Sequence, residues 1–297
     1  MSAVEFPAAT AAGARRPVEP SVRRRRTLLV IANHSVAIVL SIAFLVPFVF
    51  IIATSLMTNQ QALSPNIWPH PFVWSNYKTV FESFPFVRYT LNTVTYAGLA
   101  TLGVLLSCTP VAYALSRLRW KGRQFAFMLV LSTLMLPPQV TIVPLYVIFV
   151  RLHWIGSLKP LIVPMFFGDA FSIFLLRQFF MTIPEELSDA ARVDGAGELQ
   201  ILRKVIVPLA KPALAAVGLF QFLYSWNDFF SPLLYAGNNP DAWTLAVALQ
   251  QFTNLSRGVL WNLQMAASLL FILPVIVIFF FAQKVFVEGV TLTGVKG

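Results

Sequence analysis

Six stretches of this chain are each long and apolar enough to cross a bilayer as a helix, and that constrains the fold more than any other feature. About 20 apolar residues span the hydrocarbon layer, and such runs lie near residues 28–57, 90–116, 125–149, 160–180, 209–236 and 264–286. A membrane β-barrel needs short strands of alternating character, which these uniform runs do not supply. Pro47, Pro110, Pro144, Pro164, Pro232 and Pro274 fall inside the runs. A membrane helix takes such prolines as kinks when neighbouring helices satisfy the freed carbonyl. Only 11% of residues are charged, against about 25% in soluble domains. The expected fold class is an all-α integral membrane protein with six transmembrane helices.

Charge sets the orientation. Of the 22 Lys and Arg, 17 lie before residue 27, in the 117–123 turn, between Arg177 and Lys211, or at Lys284 and Lys296. The other 5 are Lys78, Arg88, Arg151, Lys159 and Arg257. Positive charge concentrates on the cytoplasmic side, so both termini are expected there, as an even number of spans requires. The net charge of +10 thus reports topology. A nucleic-acid partner is not expected, because no soluble basic module carries readout residues. The tail with Arg23–Arg26 is not read as a secretory signal, since the apolar run after it is about 30 residues, longer than an h-region.

Familiar chemistry is missing. Cys108 stands alone, and His34, His70 and His153 sit on different segments, so no metal site is expected. No Gly-x-x-x-x-Gly-Lys-Ser/Thr loop is present, so ATP hydrolysis by that route is excluded.

One polar island interrupts the apolar pattern, from Ile183 to Pro208. Thr182 and Glu185 have capping-box spacing, and Glu185 and Glu186 suit the positive end of a helix. The spacing predicts a helix over 183–194, stopped at Gly195 by the left-handed conformation glycine accepts, then a second helix after Gly197. On the first helix Leu187, Ala190, Ala191 and Asp194 are expected to share one side, with Glu185, Asp189 and Arg192 at its rim.

This island resembles the signature of the membrane subunits of binding-protein-dependent ABC importers: Glu-Ala-Ala, three residues, Gly, nine residues, Ile-x-Leu-Pro. Here it reads Asp189-Ala190-Ala191, then Gly195, then Val205-Ile206-Val207-Pro208. Asp189 departs from the usual Glu, and Val205 and Val207 from Ile and Leu. Ala112-Tyr-Ala-Leu-Ser-Arg117, Leu136-Pro-Pro-Gln-Val-Thr-Ile-Val-Pro-Leu-Tyr146 and Phe222-x-x-x-Trp226-Asn227-Asp228-Phe229 look like segments of the carbohydrate-importer branch, of the maltose-transport type. The ending, with Gly289, Gly294, Lys296 and Gly297, is similar to the tail of the second permease of such pairs. Together the similarity covers most of residues 68–297.

The resemblance implies the type I ABC importer permease fold in a bacterial or archaeal cytoplasmic membrane, surrounded by lipid. It implies that Glu185, Leu187, Asp189, Ala190, Ala191, Asp194, Gly195 and Pro208 couple the chain to an ATPase dimer. It also implies a second, homologous permease and an extracytoplasmic sugar-binding protein, with alternating access moving a sugar. No cofactor is expected on this chain, ATP and Mg belonging to the ATPases. Residues 1–27 are expected as an unstructured basic tail, 28–89 as the first helix and an outer segment, and 90–287 as the core carrying the loop 181–208. Residues 288–297 are expected as a cytoplasmic tail.

Ionisable groups inside a membrane are functional candidates, which selects Asp169 and Asp228, with Tyr224 and Asn227 as further groups on the substrate path. Gly168 is expected to let a helix approach. The same carboxylates are open to other readings: bend-holding groups, an importer for glycerol phosphate or an oligopeptide, or an acid–base pair in an intramembrane enzyme. Trp243 and Trp261, in the outer loop, read as contacts for a docked binding protein or as interfacial anchors.

Overall fold

The computed structural model describes residues 20–237, 239–255 and 260–294, and every regular element among them is helical. Helix α1 runs over Pro20–Ser55, so it takes in the last eight residues of the stretch expected as unstructured tail. The chain divides into two units, Met1–Ile51 and Ile52–Gly297. In the first, side chains from Leu28 to Phe50 are exposed throughout, as a rod bathed in lipid would be.

In the second unit two short helices, α2 (Asn59–Ala62) and α3 (Ser75–Ser83), precede α4 (Phe86–Ser116). Then follow α5 (Arg123–Thr133), α6 (Pro138–Arg151), α7 (Lys159–Ile162), a 3-10 turn over Val163–Phe167 and α8 (Ala170–Thr182). The polar island forms α9 (Glu186–Val193), α10 (Glu198–Ile201), a π-helical turn over Leu202–Ile206 and α11 (Val207–Leu209). The last helices are α12 (Lys211–Asn227), α13 (Phe230–Ala236), α14 (Leu245–Leu255) and α15 (Trp261–Gly294).

Four helices among the described residues are long and apolar enough to cross a membrane, and two sharply bent pairs raise the number to as many as six. The run at 125–149 is expected as one span, yet α5 and α6 meet at 92°. Proline pushes the residue before it out of the helical region, and Pro137, itself followed by Pro138, is extended at ψ 132°. The second bend, 80°, separates Glu198–Leu209 from Lys211–Asn227. The helix entering the C-terminal segment continues to Gly294, so Gly289 and Gly294 belong to α15, while Lys296 and Gly297 lie outside the described residues.

α4 is the central post. Its buried face carries Ala97, Ala100, Gly103, Val104, Cys108 and Ala112, small residues that let backbones approach where no hydrophobic effect drives helices together. The closest approach is at Gly103, where an added Cβ would stand 2.7 Å from the Phe166 ring. One core gathers Val104, Cys108, Leu115, Leu176, Phe180, Ile201, Ile206 and Val217, and so joins α4 and α8 to the polar island and α12.

Two buried arginines lock the ends of α4 and α8 to each other. Arg117, just past α4, donates to the carbonyls of Phe180 and Ile183 at the end of α8. Arg177, on α8, donates through Nε to the Leu115 carbonyl at the end of α4, 3.1 Å away, and its guanidinium lies 3.9 Å above the Phe127 ring. Each cation meets the carbonyls that a helix C-terminus leaves unpaired. The two helices therefore end at the same level.

At the other end of α4, Asn92 donates to the carbonyls of Asp241 and Trp243, and Thr93 accepts from the Leu245 amide at 2.8 Å. Trp243 donates through Nε1 to the Gly237 carbonyl and packs on Tyr89.

Candidate functional site

The polar island is a helical hairpin whose first leg starts later than its sequence suggests. Pro184 drives Ile183 to an extended conformation (ψ 131°). Thr182 therefore stays in α8, its hydroxyl donating to the Phe179 carbonyl at 2.7 Å, and the expected Thr182–Glu185 box does not form. Glu185 takes the N-cap position instead, and Glu186 and Asp189 occupy the first turn, where carboxylates complement the helix dipole.

The leg ends as expected. Gly195 has φ +82°. Its amide donates to the Arg192 carbonyl at 3.0 Å and the Ala196 amide to the Ala191 carbonyl at 2.9 Å, the paired bonds of a Schellman stop. An added Cβ at Gly195 would meet nothing within 4 Å, so the backbone angle alone selects glycine here.

The faces divide differently from the expected pattern. Leu187, Ala190 and Asp194 are exposed, but Ala191 is half-buried against the core, and Ser188 is wholly buried. Both inward residues are small because α9 lies close on the layer beneath. Exposed apolar side chains cluster on the hairpin: Leu187 at 44%, Val193 at 87% and Leu199 at 66%. Val193 and Leu199 were not among the sequence candidates. Pro208 is exposed in α11, just before the bend at buried Ala210.

The rim residues are tied inward. Glu185 pairs with Arg119 at 3.0 Å, and Arg192 bridges Asp189 at 2.7 Å and Glu198 at 2.9 Å. Tyr113, in the last turn of α4, donates its hydroxyl to the second oxygen of Glu198 at 2.5 Å. Arg117, Arg119, Glu185, Asp189, Arg192 and Glu198 line a cleft of about 350 Å³. The Arg192 guanidinium, helped by the Tyr113 hydroxyl, holds the Glu198 carboxyl below the usual glutamate range, and Glu198 in turn raises Arg192. Burial pushes Arg117 down. Tyr113 and Glu198 are 85 residues apart, and no motif spacing links them, so the tie is invisible to sequence reasoning.

The substrate-path candidates split in two. Asp169 breaks the helical run that begins at Lys159: Gly168 has φ +105°, Asp169 is extended, and its carboxylate caps α8 by accepting from the Ser172 amide at 2.7 Å. Gly168 is required by its backbone angle, not by helix approach, since a Cβ there would sit 3.5 Å from Ile173. Asp169 and Tyr224, with Phe171, Ser172, Phe220 and Gln221, line a cleft of about 340 Å³ between α8 and α12. Tyr224 is 64% exposed.

Asn227 and Asp228 do not line that cleft. Asn227 donates to the Leu223 carbonyl in its own helix at 2.8 Å. Asp228 holds the break between α12 and α13, accepting from Tyr96 at 2.9 Å and from the Ser231 amide at 3.1 Å. The two carboxylates are thus engaged on separate partners, which removes the basis for an acid–base pair. Trp226 is buried, stacked on Phe222 and tilted against Phe271 of α15. Among the described residues no group of His, Cys, Asp or Glu is placed to hold a metal ion.

Residues 99–292 match the model of the family described as binding-protein-dependent transport system inner membrane component. The osmoprotective compounds uptake permease protein GgtD of Synechocystis sp. is 34% identical over 87% of this chain and 90% of its own. The arabinooligosaccharides transport system permease protein AraQ of Bacillus subtilis is 32% identical over 87% and 92%. The sn-glycerol-3-phosphate transport system permease protein UgpE of Yersinia pestis is 32% identical over 82% and 88%. Among solved structures, a chain of a bacterial ABC transporter involved in the import of the acidic polysaccharide alginate shares the fold, with a TM-score of 0.77 and 24% identity, covering 91% of this chain and 99% of that one.

Proposed function

The chain belongs to the family of inner membrane components of binding-protein-dependent transport systems, and we propose on that premise that it is one of two permeases of an ATP-driven importer for a sugar. It is a transport subunit, with no phosphate loop of its own for ATP. The observation that carries the reading is the hairpin, two helical legs closed by the left-handed Gly195 and presenting exposed Leu187, Val193 and Leu199. Such an apolar knob on a polar base fits a groove in an ATPase dimer, where ATP and Mg act. A second permease and an extracytoplasmic sugar-binding protein complete the machine.

In this reading α5 with α6 is one span and α12 with α13 another, giving six, with the hairpin outside the spans and both termini on the cytoplasmic face of a bacterial or archaeal membrane. The bias of Lys and Arg supports that orientation. So does the common level of the α4 and α8 ends beside the hairpin, since two spans that run the same way are separated by one that runs back. Glu185, Leu187, Asp189, Ala190, Ala191, Asp194, Gly195 and Pro208 form or brace the coupling surface, and the C-terminal segment with Gly289, Gly294, Lys296 and Gly297 follows on the same side.

The cleft of Asp169 and Tyr224 is this chain's share of the substrate path. A carboxylate beside aromatic rings, the Ser172 hydroxyl and the Gln221 amide suits a hydroxyl-rich neutral solute and disfavours an anion such as glycerol phosphate. Asn227 and Asp228 shape the path from behind it.

The test is to tag the chain, extract it from its own cells in mild detergent and identify its partners. A second permease, an ATPase near two copies and a binding protein are expected. A chain that purifies alone or with unrelated enzymes overturns the importer reading.

A further inference from the structure

We infer that Tyr113 is a positioning residue for coupling: its bond to Glu198 makes the second leg of the hairpin and the inner end of α4 one mechanical body. The inference rests on the importer reading above and adds to it the route by which force enters the membrane helices.

The geometry is asymmetric. The hairpin is braced to α4 by Tyr113 to Glu198 at 2.5 Å and to the turn after α4 by Arg119 to Glu185 at 3.0 Å, and Arg117 fixes that end of α4 to the carbonyls of Phe180 and Ile183 at the end of α8. The Glu198 carboxylate is also gripped by Arg192, which is fixed to Asp189 at 2.7 Å, so one charged group joins both legs to α4. Such charge-assisted bonds are short and roughly twice as strong as neutral ones. Toward α12 the path is compliant. Leu202–Ile206 is a π turn and the chain then bends by 80° at Ala210, and π-bulges are among the places where helices kink. A displaced hairpin therefore carries α4 and α8 with it through these bonds, while its covalent link to α12 can adjust at the π turn.

Tyr113 is 3% exposed. Without Glu198 its hydroxyl would face the interior unpaired, which a serviceable membrane helix avoids with phenylalanine. A tyrosine here makes sense as half of a strut.

The experiment uses the whole complex purified with its ATPase. Nitroxide labels are placed through Val111→Cys on α4 and Gln200→Cys on the second leg, both exposed positions, while Cys108 is buried and shielded from reagent. Label separation is measured without nucleotide and after trapping with ATP and vanadate. In the wild type the separation is expected to stay the same in both states. In Tyr113→Phe it should differ between states by more than the width of the wild-type distribution, with ATPase content unchanged. Glu198→Ala cuts the same bond from the exposed side, together with the Arg192 ion pair, and should give at least the same split. Loss of the brace without loss of fold is what distinguishes a strut from a packing residue. A wild-type separation that itself changes between states, or variants that keep the wild-type behaviour, would overturn the inference. A wild-type chain that brings no ATPase with it would overturn the importer reading instead.

Discussion

The hydroxyl of Tyr96 donates to the carboxylate of Asp228 at 2.9 Å, joining the middle of α4 to the break between α12 and α13. Tyr96 is 1% exposed. The bond makes Asp228 a structural carboxylate, and the same oxygen pair also receives the Ser231 amide. Asp228→Ala should therefore destabilise the extracted protein by about 1–3 kcal/mol, the cost of leaving a buried hydroxyl unpaired. Tyr96→Phe should cost less, and the double variant less than Asp228→Ala, because phenylalanine removes the hydroxyl that the single variant leaves unpaired. Thermal melts in detergent read this directly. A full loss of sugar uptake at unchanged melting temperature would return Asp228 to the substrate path.

Asp169→Asn separates capping from charge. Asparagine caps a helix about as well as aspartate, so α8 should keep its start and the melting point should hardly move. A charged hydrogen bond is worth about 1.5–3 kcal/mol, so uptake of the sugar held by the co-purifying binding protein should fall by roughly tenfold or more. Uptake at the wild-type rate would remove Asp169 from the path.

Gly195→Val tests the turn. No neighbour obstructs a side chain there, so the penalty is the left-handed backbone, about 1–2 kcal/mol, confined to the hairpin. The variant should insert normally yet retain less ATPase on purification and transport poorly. Gly195→Asn should lie nearer the wild type, since asparagine tolerates that conformation. Normal uptake by Gly195→Val would argue against docking through this hairpin.

Gly103→Ala probes the close approach beneath α4. Its Cβ would stand 2.7 Å from the Phe166 ring and 3.1 Å from the Met165 backbone carbon. The ring can turn but the backbone cannot, so overpacking of about 1–3 kcal/mol is expected. A lowered melting midpoint checks this, and an unchanged one would mean that the 163–167 segment yields freely.

Acid should loosen the hairpin. The Glu198 carboxyl is held below its ordinary value by Arg192 and Tyr113, so the folded state binds its proton less readily than the unfolded chain does. Its contribution is complete above the unfolded value, about 4.3, and disappears as pH falls through the lower folded one. Hydrogen exchange across 186–201 should accelerate in that window beyond its intrinsic pH dependence. Glu198→Gln should be weaker at neutral pH and nearly insensitive to acid.

Much of the hairpin was legible because its signals are local. Gly195 stops its helix after a polar amphipathic leg, where the left-handed conformation costs glycine little, and the exposure of Leu187, Ala190 and Asp194 follows from helical spacing. The late start of α9 was also within reach, since Pro184 governs Ile183, but the capping-box spacing at Thr182 competed with it and misled. The inward turn of Ala191 was not readable, because small residues fit either face and only the neighbouring layer decides. Tyr224, Asn227 and Asp228 lie within five residues, yet only Tyr224 reaches the cleft with Asp169. Their separation depends on where α12 breaks, and on Tyr96 being opposite.

What the sequence determined by itself is the class of solution. Apolar runs of membrane length force helices, because backbone groups in lipid must pair within their own segment, and a glycine with the right neighbours forces a turn. What only the tertiary structure decided is which polar groups meet. Arg117 against the end of α8, Arg177 against the end of α4, and Tyr113 against Glu198 join residues more than sixty positions apart. Such bonds leave no periodic trace in the chain, since each needs one donor and one acceptor whose encounter is set by how the helices pack.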